Sequence, residues 1–149
     1  MLKGVNWFQN IEKALEMWPK IQIAATGVKT PSPICGACYH KTAEITIIFA
    51  GDAYDKTTLK SLKGVEENTI KNFSVCKQCS SVGQLIHRLT HLKWSLRMVS
   101  AKAVEEVRAS SRNMDTATIL SELLEKDIWV NDLFNRVQTL WADADAFNL

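Results

Sequence analysis

The sequence lacks the features that would place it in a membrane or secreted class. No run of about eighteen apolar residues occurs within its 149 positions, so no membrane-spanning helix is predicted. The first stretch, MLKGVNWFQNIEKALEMW, is interrupted by Gln, Asn, Glu and Lys and has no continuous apolar core of the kind found in signal peptides. We therefore expect a reducing compartment, in which disulfides are rare.

Catalytic signatures are also missing from the sequence. It contains no glycine-rich phosphate loop, no Ser-His-Asp order and no paired catalytic carboxylates. Ser80 and Ser81 near His87 are explained by helix capping, and GDAYD at 51–55 is typical of a turn that ends a strand. The net charge of +2 is too small to indicate a nucleic-acid partner by itself. We expect a protein that is not an enzyme.

What the sequence does contain is two Cys-x-x-Cys pairs, Cys35 with Cys38 and Cys76 with Cys79. Four soft thiolates supply a complete tetrahedral shell for zinc, and the second pair opens a helical pattern whose dipole favours thiolates. Two disulfides would need an oxidising compartment, and a thioredoxin-like centre would need a single pair in a βαβ context. We predict a structural Zn²⁺ with no open coordination position for catalysis.

Two histidines leave one alternative open for the metal ligands. His87 and His91 are four residues apart and share one face of a predicted helix. The spacing favours a pair of partly buried histidines bonded to backbone groups, while the alternative makes His87 the fourth ligand in place of one cysteine. His40, which follows the first pair, is expected to be exposed or to lie beside the ligands.

The pattern of apolar residues predicts an α+β fold that is mostly helical. A cysteine turn, a small β-hairpin and a cysteine pair at a helix start follow the treble-clef order, and a long central helix comes next. The predicted elements are a helix at 5–18 ending before Pro19, strands at 43–50 and 73–76, a polar loop at 56–72, a helix from Ser80 or Ser81 to Ala109, a helix capped by Asp115 or Thr116, and a last helix from Asn131.

These elements are expected to form a single zinc-stabilised domain over 1–149. Its parts are the N-terminal helix at 1–19, the zinc core with the central helix at 33–109, and the helical tail at 115–147. The tail is rich in carboxylates, whereas the segment 87–112 is basic. That difference in charge favours packing of the tail against the long helix.

The order of these motifs is similar to that of a known family. It resembles the C-terminal domain of unknown function shared by a glutamine- and serine-rich protein and a coiled-coil-domain-containing protein, both nuclear. The motifs that carry the resemblance are, in chain order, Cys-x-x-Cys, ITIIFAGDAYDKTTL, FSVCKQC, IHRLTHLKWSL and KDIWVNDLF. The resemblance covers roughly 33–147 and is most specific from Phe73 to Lys93. It implies a nuclear protein linked to chromatin and transcriptional regulation, but it supplies no biochemical activity.

The resemblance also bears on the fourth metal ligand. In that family the position of Cys76 is commonly glycine, whereas a cysteine at 79 and a histidine at 87 are present. The resemblance therefore implies that His87 is the alternative to Cys76, while Cys35, Cys38 and Cys79 are ligands in either case.

Two functions follow as expectations. The first is a zinc-binding protein-interaction module whose contacts come from surface tryptophans, because aromatic residues are common at binding hot spots. For any single tryptophan, core packing is the commoner role. The alternative is a nucleic-acid-binding zinc domain with a basic face. We expect no membrane partner, and the pattern does not specify the oligomeric state. The tryptophans are Trp7, Trp18, Trp129 and Trp141, and the basic residues are Lys56, Lys60, Lys63, Lys71, Lys77, Arg88, Lys93 and Arg97.

Overall fold

The computed structural model describes residues 9–27, 31–62, 71–111 and 113–148, and their side chains from Ile11 onward. Within these residues it contains five helices and one three-stranded antiparallel sheet, which confirms the α+β class. The elements are α1 (Gln9–Met17), β1 (Lys20–Ala25), β2 (Ile45–Ala50), β3 (Lys71–Val75), α2 (Lys77–Thr90), α3 (Leu92–Ser110), α4 (Thr116–Leu124) and α5 (Asp127–Ala146).

The chain divides into two compact units, Met1–His91 and Leu92–Asn148. The first holds α1, the sheet and α2, and the second holds the last three helices. The single domain expected over 1–149 stays a prediction. None of the helices in the described ranges is both long enough and apolar enough to cross a membrane.

The first helix, α1, buries one apolar face in the core of the first unit. Ile11 and Leu15 lie on that face, and Trp18 follows them into the same core. The helix ends before Pro19 as predicted, because proline lacks the backbone N–H that a further helical bond requires. Trp18 is buried, which agrees with the core packing expected of a single tryptophan and removes it from the candidate surface residues. The predicted first turn at 5–8, with Trp7, lies outside the described residues.

The sheet has the order β1-β2-β3, and both pairings are antiparallel. Its central strand alternates in burial, with Ile47 and Phe49 fully buried, as expected for a strand with one face on the core. The predicted strands at 43–50 and 73–76 correspond to β2 and β3. The sequence indicated β1 only as extended chain. Gly51, with φ of 96°, turns the chain out of β2.

The predicted long helix from Ser80 or Ser81 to Ala109 was wrong in two respects. It begins earlier, at Lys77, with Cys76 as the N-cap, and it is interrupted at His91, where φ and ψ are −100° and 12°. The imidazole of His91 is hydrogen-bonded to groups of α1 and of the loop after β2. These bonds anchor the imidazole at the point where α2 ends and α3 begins.

The second unit has a small apolar core between α3, α4 and the start of α5. Asp115 caps α4 as predicted, because its carboxylate accepts the backbone N–H of Thr118 at 2.8 Å. The last helix begins at Asp127 rather than Asn131, and a carboxylate in the first turn favours that start. The core consists of Val104, Ile119 and Leu123, with Ala103, Val107, Met114 and Trp129 packed against it.

Candidate metal centre

The first cysteine pair lies on a tight loop at 33–43. The backbone N–H of Cys35 donates to the carbonyl of Lys41 at 2.7 Å, and that of Ala43 donates to the carbonyl of Pro33 at 2.8 Å. The chain reverses through Tyr39, which adopts a left-handed φ of 56°. This reversal places Cys35 and Cys38 on one side of a loop that leads directly into β2.

A close backbone contact fastens this loop to β3. The N–H of Gly36 donates to the carbonyl oxygen of Ser74 at 2.8 Å. A Cβ atom at position 36 would lie 3.3 Å from the same oxygen, so the approach favours glycine. Since β3 leads into Cys76, the contact holds the first cysteine loop beside the second pair.

The second pair lies at the start of α2. Cys76 is the N-cap residue and Cys79 lies in the first turn, where the N–H of Ser80 donates to the carbonyl of Cys76 at 2.9 Å. The N-terminal end of a helix carries partial positive charge, which stabilises thiolates and the ions that thiolates bind.

All four cysteines meet at one point in the first unit. The Sγ atoms of Cys35, Cys38, Cys76 and Cys79 all lie within 4.8 Å of one another, and none of the four is in a disulfide. Cys38 is half-buried and the other three are buried. Zn–S bonds of about 2.3 Å place the sulfurs of a regular tetrahedron about 3.8 Å apart, so the donor type and the spacing fit a metal ion of this kind.

The electrostatics of the cluster also fit a cation. The backbone N–H of His40, with that of Lys41, stabilises the thiolate of Cys38 and lowers its pKa to about 6. Burial, and then the neighbouring thiol of Cys76, raise the pKa of Cys79. Four adjacent thiols cannot all ionise without a compensating positive charge, and a divalent ion supplies that charge.

The two histidines make other contacts in the described structure. Nε2–H of His87 donates to the carbonyl of Trp18 at 2.8 Å, and Nε2–H of His91 donates to the carbonyl of Leu15 at 2.8 Å. The hydroxyl of Tyr54 donates to Nδ1 of His91. These bonds fasten the end of α1 to α2, and His87 is outside the group of four sulfurs. The identity of the fourth ligand stays a prediction. His40 is exposed.

We expect the stability of the first unit to fall as the pH drops from about 6.5 towards 4. Burial lowers the pKa of His87 from its ordinary 6.5 to about 4, and burial also lowers the pKa of His91. The unfolded chain therefore takes up protons before the folded chain does, which favours unfolding. The stabilising effect is complete above 6.5 and is lost as the pH passes through 4. Urea denaturation at a series of pH values measures this slope.

Acid also releases metal from thiolates, so this measurement needs a control. His87→Gln, which keeps a side-chain N–H but does not titrate in this range, is expected to reduce the slope while the zinc content follows the same pH dependence in both proteins. An unchanged slope in His87→Gln would show that the histidine does not cause it.

The chain is similar to a known family over residues 2–59, which match the family described as a domain of unknown function (DUF4211). The match covers less than half of the chain. It includes α1, β1, β2 and the first cysteine pair, but stops before Cys76 and Cys79. The match supports a domain of unknown function and overlaps the predicted resemblance at 33–147 only over 33–59, while it also includes the first helix, which the prediction left out. The resemblance over 60–147 and the particular proteins that share the domain stay predictions. No solved structure matches the chain.

The sequence interpretation missed two residues that position the cysteine loop and the histidines. Gly36 makes the contact with β3, and Tyr54 anchors His91. The glycine directly after Cys35 is a usable signal, because a glycine inside a cysteine turn marks a close backbone approach. Tyr54 gave no signal, since its partner His91 lies 37 residues away, between α2 and α3.

Proposed function

We propose that the chain is a non-catalytic protein-interaction module stabilised by Zn²⁺, and that Cys35, Cys38, Cys76 and Cys79 are the ligands. The observation that carries this proposal is the cluster of four sulfurs, which joins the loop before β2 to the end of β3 and the start of α2. Four thiolates fill a tetrahedral shell and leave no position for water or substrate. The metal then contributes to folding, not to a reaction.

The order of elements around the cluster supports a treble-clef zinc site. A cysteine loop at 33–43 is followed by the antiparallel strands β2 and β3, and then by a helix that starts with the second cysteine pair. In this arrangement one ion joins the cysteine loop before β2 to the helix after β3, at the end of the hairpin where β2 begins and β3 ends. The ion would add to the Gly36–Ser74 backbone bond and to the apolar packing that already join these segments.

The second unit supplies the surface for interaction. Several large apolar side chains of α4 and α5 are exposed, among them Leu124, Phe134 and Trp141. Exposed aromatic residues that share a helix face are typical of binding surfaces. The resemblance to a nuclear domain supports a nuclear, chromatin- or transcription-associated setting for this module.

Nucleic-acid binding is the weaker candidate. Lys56 pairs with Glu16 at 3.1 Å, and Lys77 lies 3.9 Å from Glu44, so two of the basic residues already face carboxylates. Lys63 lies outside the described residues. Phosphate binding by the remaining residues would weaken steeply as salt is added.

Affinity purification from a nuclear extract tests the proposed function. The intact chain is expected to retain a specific protein, and a Cys35→Ser, Cys38→Ser variant is expected to lose both the zinc and that protein. Binding of a duplex oligonucleotide at low salt is measured in parallel. Salt-sensitive oligonucleotide binding without any retained protein would contradict the module and support the alternative.

A further inference from the structure

Helix α5 carries an apolar face that is wider than the part covered by the rest of the protein. Val130, Phe134, Val137 and Trp141 follow one another at steps of four, three and four residues, and we call this row the outer stripe. Phe134 is 57% exposed and Trp141 is 58% exposed. The adjoining face of the helix contains Leu140, which is buried.

The outer stripe is costly to leave in water. Each aromatic side chain offers about 150–250 Å² of surface for burial, and rigid aromatic residues lose little entropy when they become ordered. The stripe is about 16 Å long, since its ends are separated by eleven residues at about 1.5 Å each. That length corresponds to three turns of a partner helix, which is the length over which helices commonly pack.

The ends of the outer stripe are acidic. Asp127 lies one turn before Val130, Asp145 lies one turn after Trp141, and both carboxylates are exposed. Helix α5 as a whole has four aspartates against one arginine, Arg136, which is paired with Asp132 at 3.0 Å on another face. Lys126 precedes the helix and lies beside Asp127. Lys126 offsets the charge of Asp127, so the net negative charge beside the stripe is concentrated at Asp145.

This charge pattern argues against a second copy of the chain as the occupant. If two outer stripes packed antiparallel, Lys126 and Asp127 of one copy would lie beside Asp145 of the other, so each end would hold two carboxylates for one lysine. If they packed parallel, each carboxylate would face its own equivalent. In both arrangements carboxylates are brought together without an equal number of basic groups at the Asp145 end, which disfavours association.

We propose that the outer stripe binds an amphipathic helix of a partner protein whose apolar face is flanked by lysines and arginines. The apolar face of that helix covers Phe134 and Trp141, and its basic ends meet Asp127 and Asp145. The inference rests on the proposed function as an interaction module and specifies its surface and the chemistry of its partner.

The test uses a fluorescein-labelled helical peptide with leucines at heptad a and d positions and lysines at the flanking positions. Saturable binding to the full chain is expected by fluorescence anisotropy, with a Kd that rises with salt. Phe134→Ala with Trp141→Ala is expected to raise the Kd about tenfold or more. Asp127→Asn with Asp145→Asn is expected to raise it several-fold, about the effect of removing two flanking charges.

Two controls keep this test specific. Ile128 is 87% exposed and lies on the far side of α5 from the outer stripe, so Ile128→Ala is expected to leave the Kd unchanged. A peptide with glutamates in place of the lysines is expected not to bind. The exposed positions of Phe134 and Trp141 predict an unchanged thermal unfolding transition in the double variant, which circular dichroism measures.

Four results with the purified chain would overturn the inference: no saturable peptide binding, an equal loss of binding in Ile128→Ala, equal binding of the glutamate peptide, or a dimer in sedimentation that depends on Trp141. The affinity purification shows whether only the binding surface inferred here is wrong or whether the proposed function as an interaction module is wrong as well. If the Phe134→Ala, Trp141→Ala variant still retains the protein captured by the intact chain, the module stands and the surface is wrong. If the intact chain retains nothing, the proposed function fails.

Discussion

Cys79→Ala is expected to abolish the cooperative unfolding transition of the first unit. Binding of a structural zinc ion contributes about 10–16 kcal/mol in small zinc-dependent domains, which is as large as the total stability of about 5–15 kcal/mol typical of a folded domain. Removing one ligand from a closed site therefore removes most of the stability. Thermal unfolding followed by circular dichroism, with the zinc content measured on the same samples, tests this expectation.

The choice of alanine makes this substitution decisive. If the four sulfurs held no metal, a buried thiol replaced by a smaller apolar side chain would cost only about 1 kcal/mol. Lys77→Ala, in the same turn of α2 but exposed, is the matched control and is expected to unfold like the unsubstituted chain. A Cys79→Ala variant that melts close to this control would contradict a structural metal.

His87→Ala is expected to lower the stability of the first unit by about 2–4 kcal/mol while the chain retains its zinc. The substitution leaves the carbonyl of Trp18 without its donor and opens a cavity beside Phe49 and His91, whose rings contact the imidazole at centroid distances of 6.1 and 4.4 Å. Urea denaturation gives the change in free energy, and metal analysis of the purified variant gives the zinc content.

The comparison with Cys76→Ala determines the fourth ligand. Cys76→Ala is expected to lose zinc, whereas His87→Ala is expected to keep it. Thr90→Ala, at an exposed position on the same helix, is the control for losses during purification. It is expected to change neither the free energy of unfolding nor the zinc content. The reverse result, with zinc lost in His87→Ala and kept in Cys76→Ala, would assign the ligand to the histidine.

The cysteine cluster could be predicted from the sequence because ligand chemistry depends on residue type and local spacing. Two Cys-x-x-Cys turns can present four sulfurs to one ion wherever the chain brings the turns together. The same local rules predicted the end of α1 at Pro19 and the cap at Asp115. The helix end and the cap are decided by neighbours in the sequence, and within the cluster each cysteine pair is local although the two pairs are far apart.

The interruption at His91 could not be predicted in this way. Its imidazole is bonded to groups 76 and 37 residues away, Leu15 and Tyr54, while the apolar periodicity continues across it. The tryptophans show the same limit. The periodicity placed Trp18 and Trp141 each on an apolar face, but only the packing shows that the first face is covered and the second is exposed.

X-ray absorption at the zinc edge of the purified chain tests the central claim most directly. One zinc ion per chain, bound by four sulfur atoms at about 2.3 Å, is the result predicted by the cluster of Cys35, Cys38, Cys76 and Cys79. Clearly less than one equivalent of zinc, or a shell with a nitrogen atom at about 2.0–2.1 Å in place of one sulfur, would contradict it.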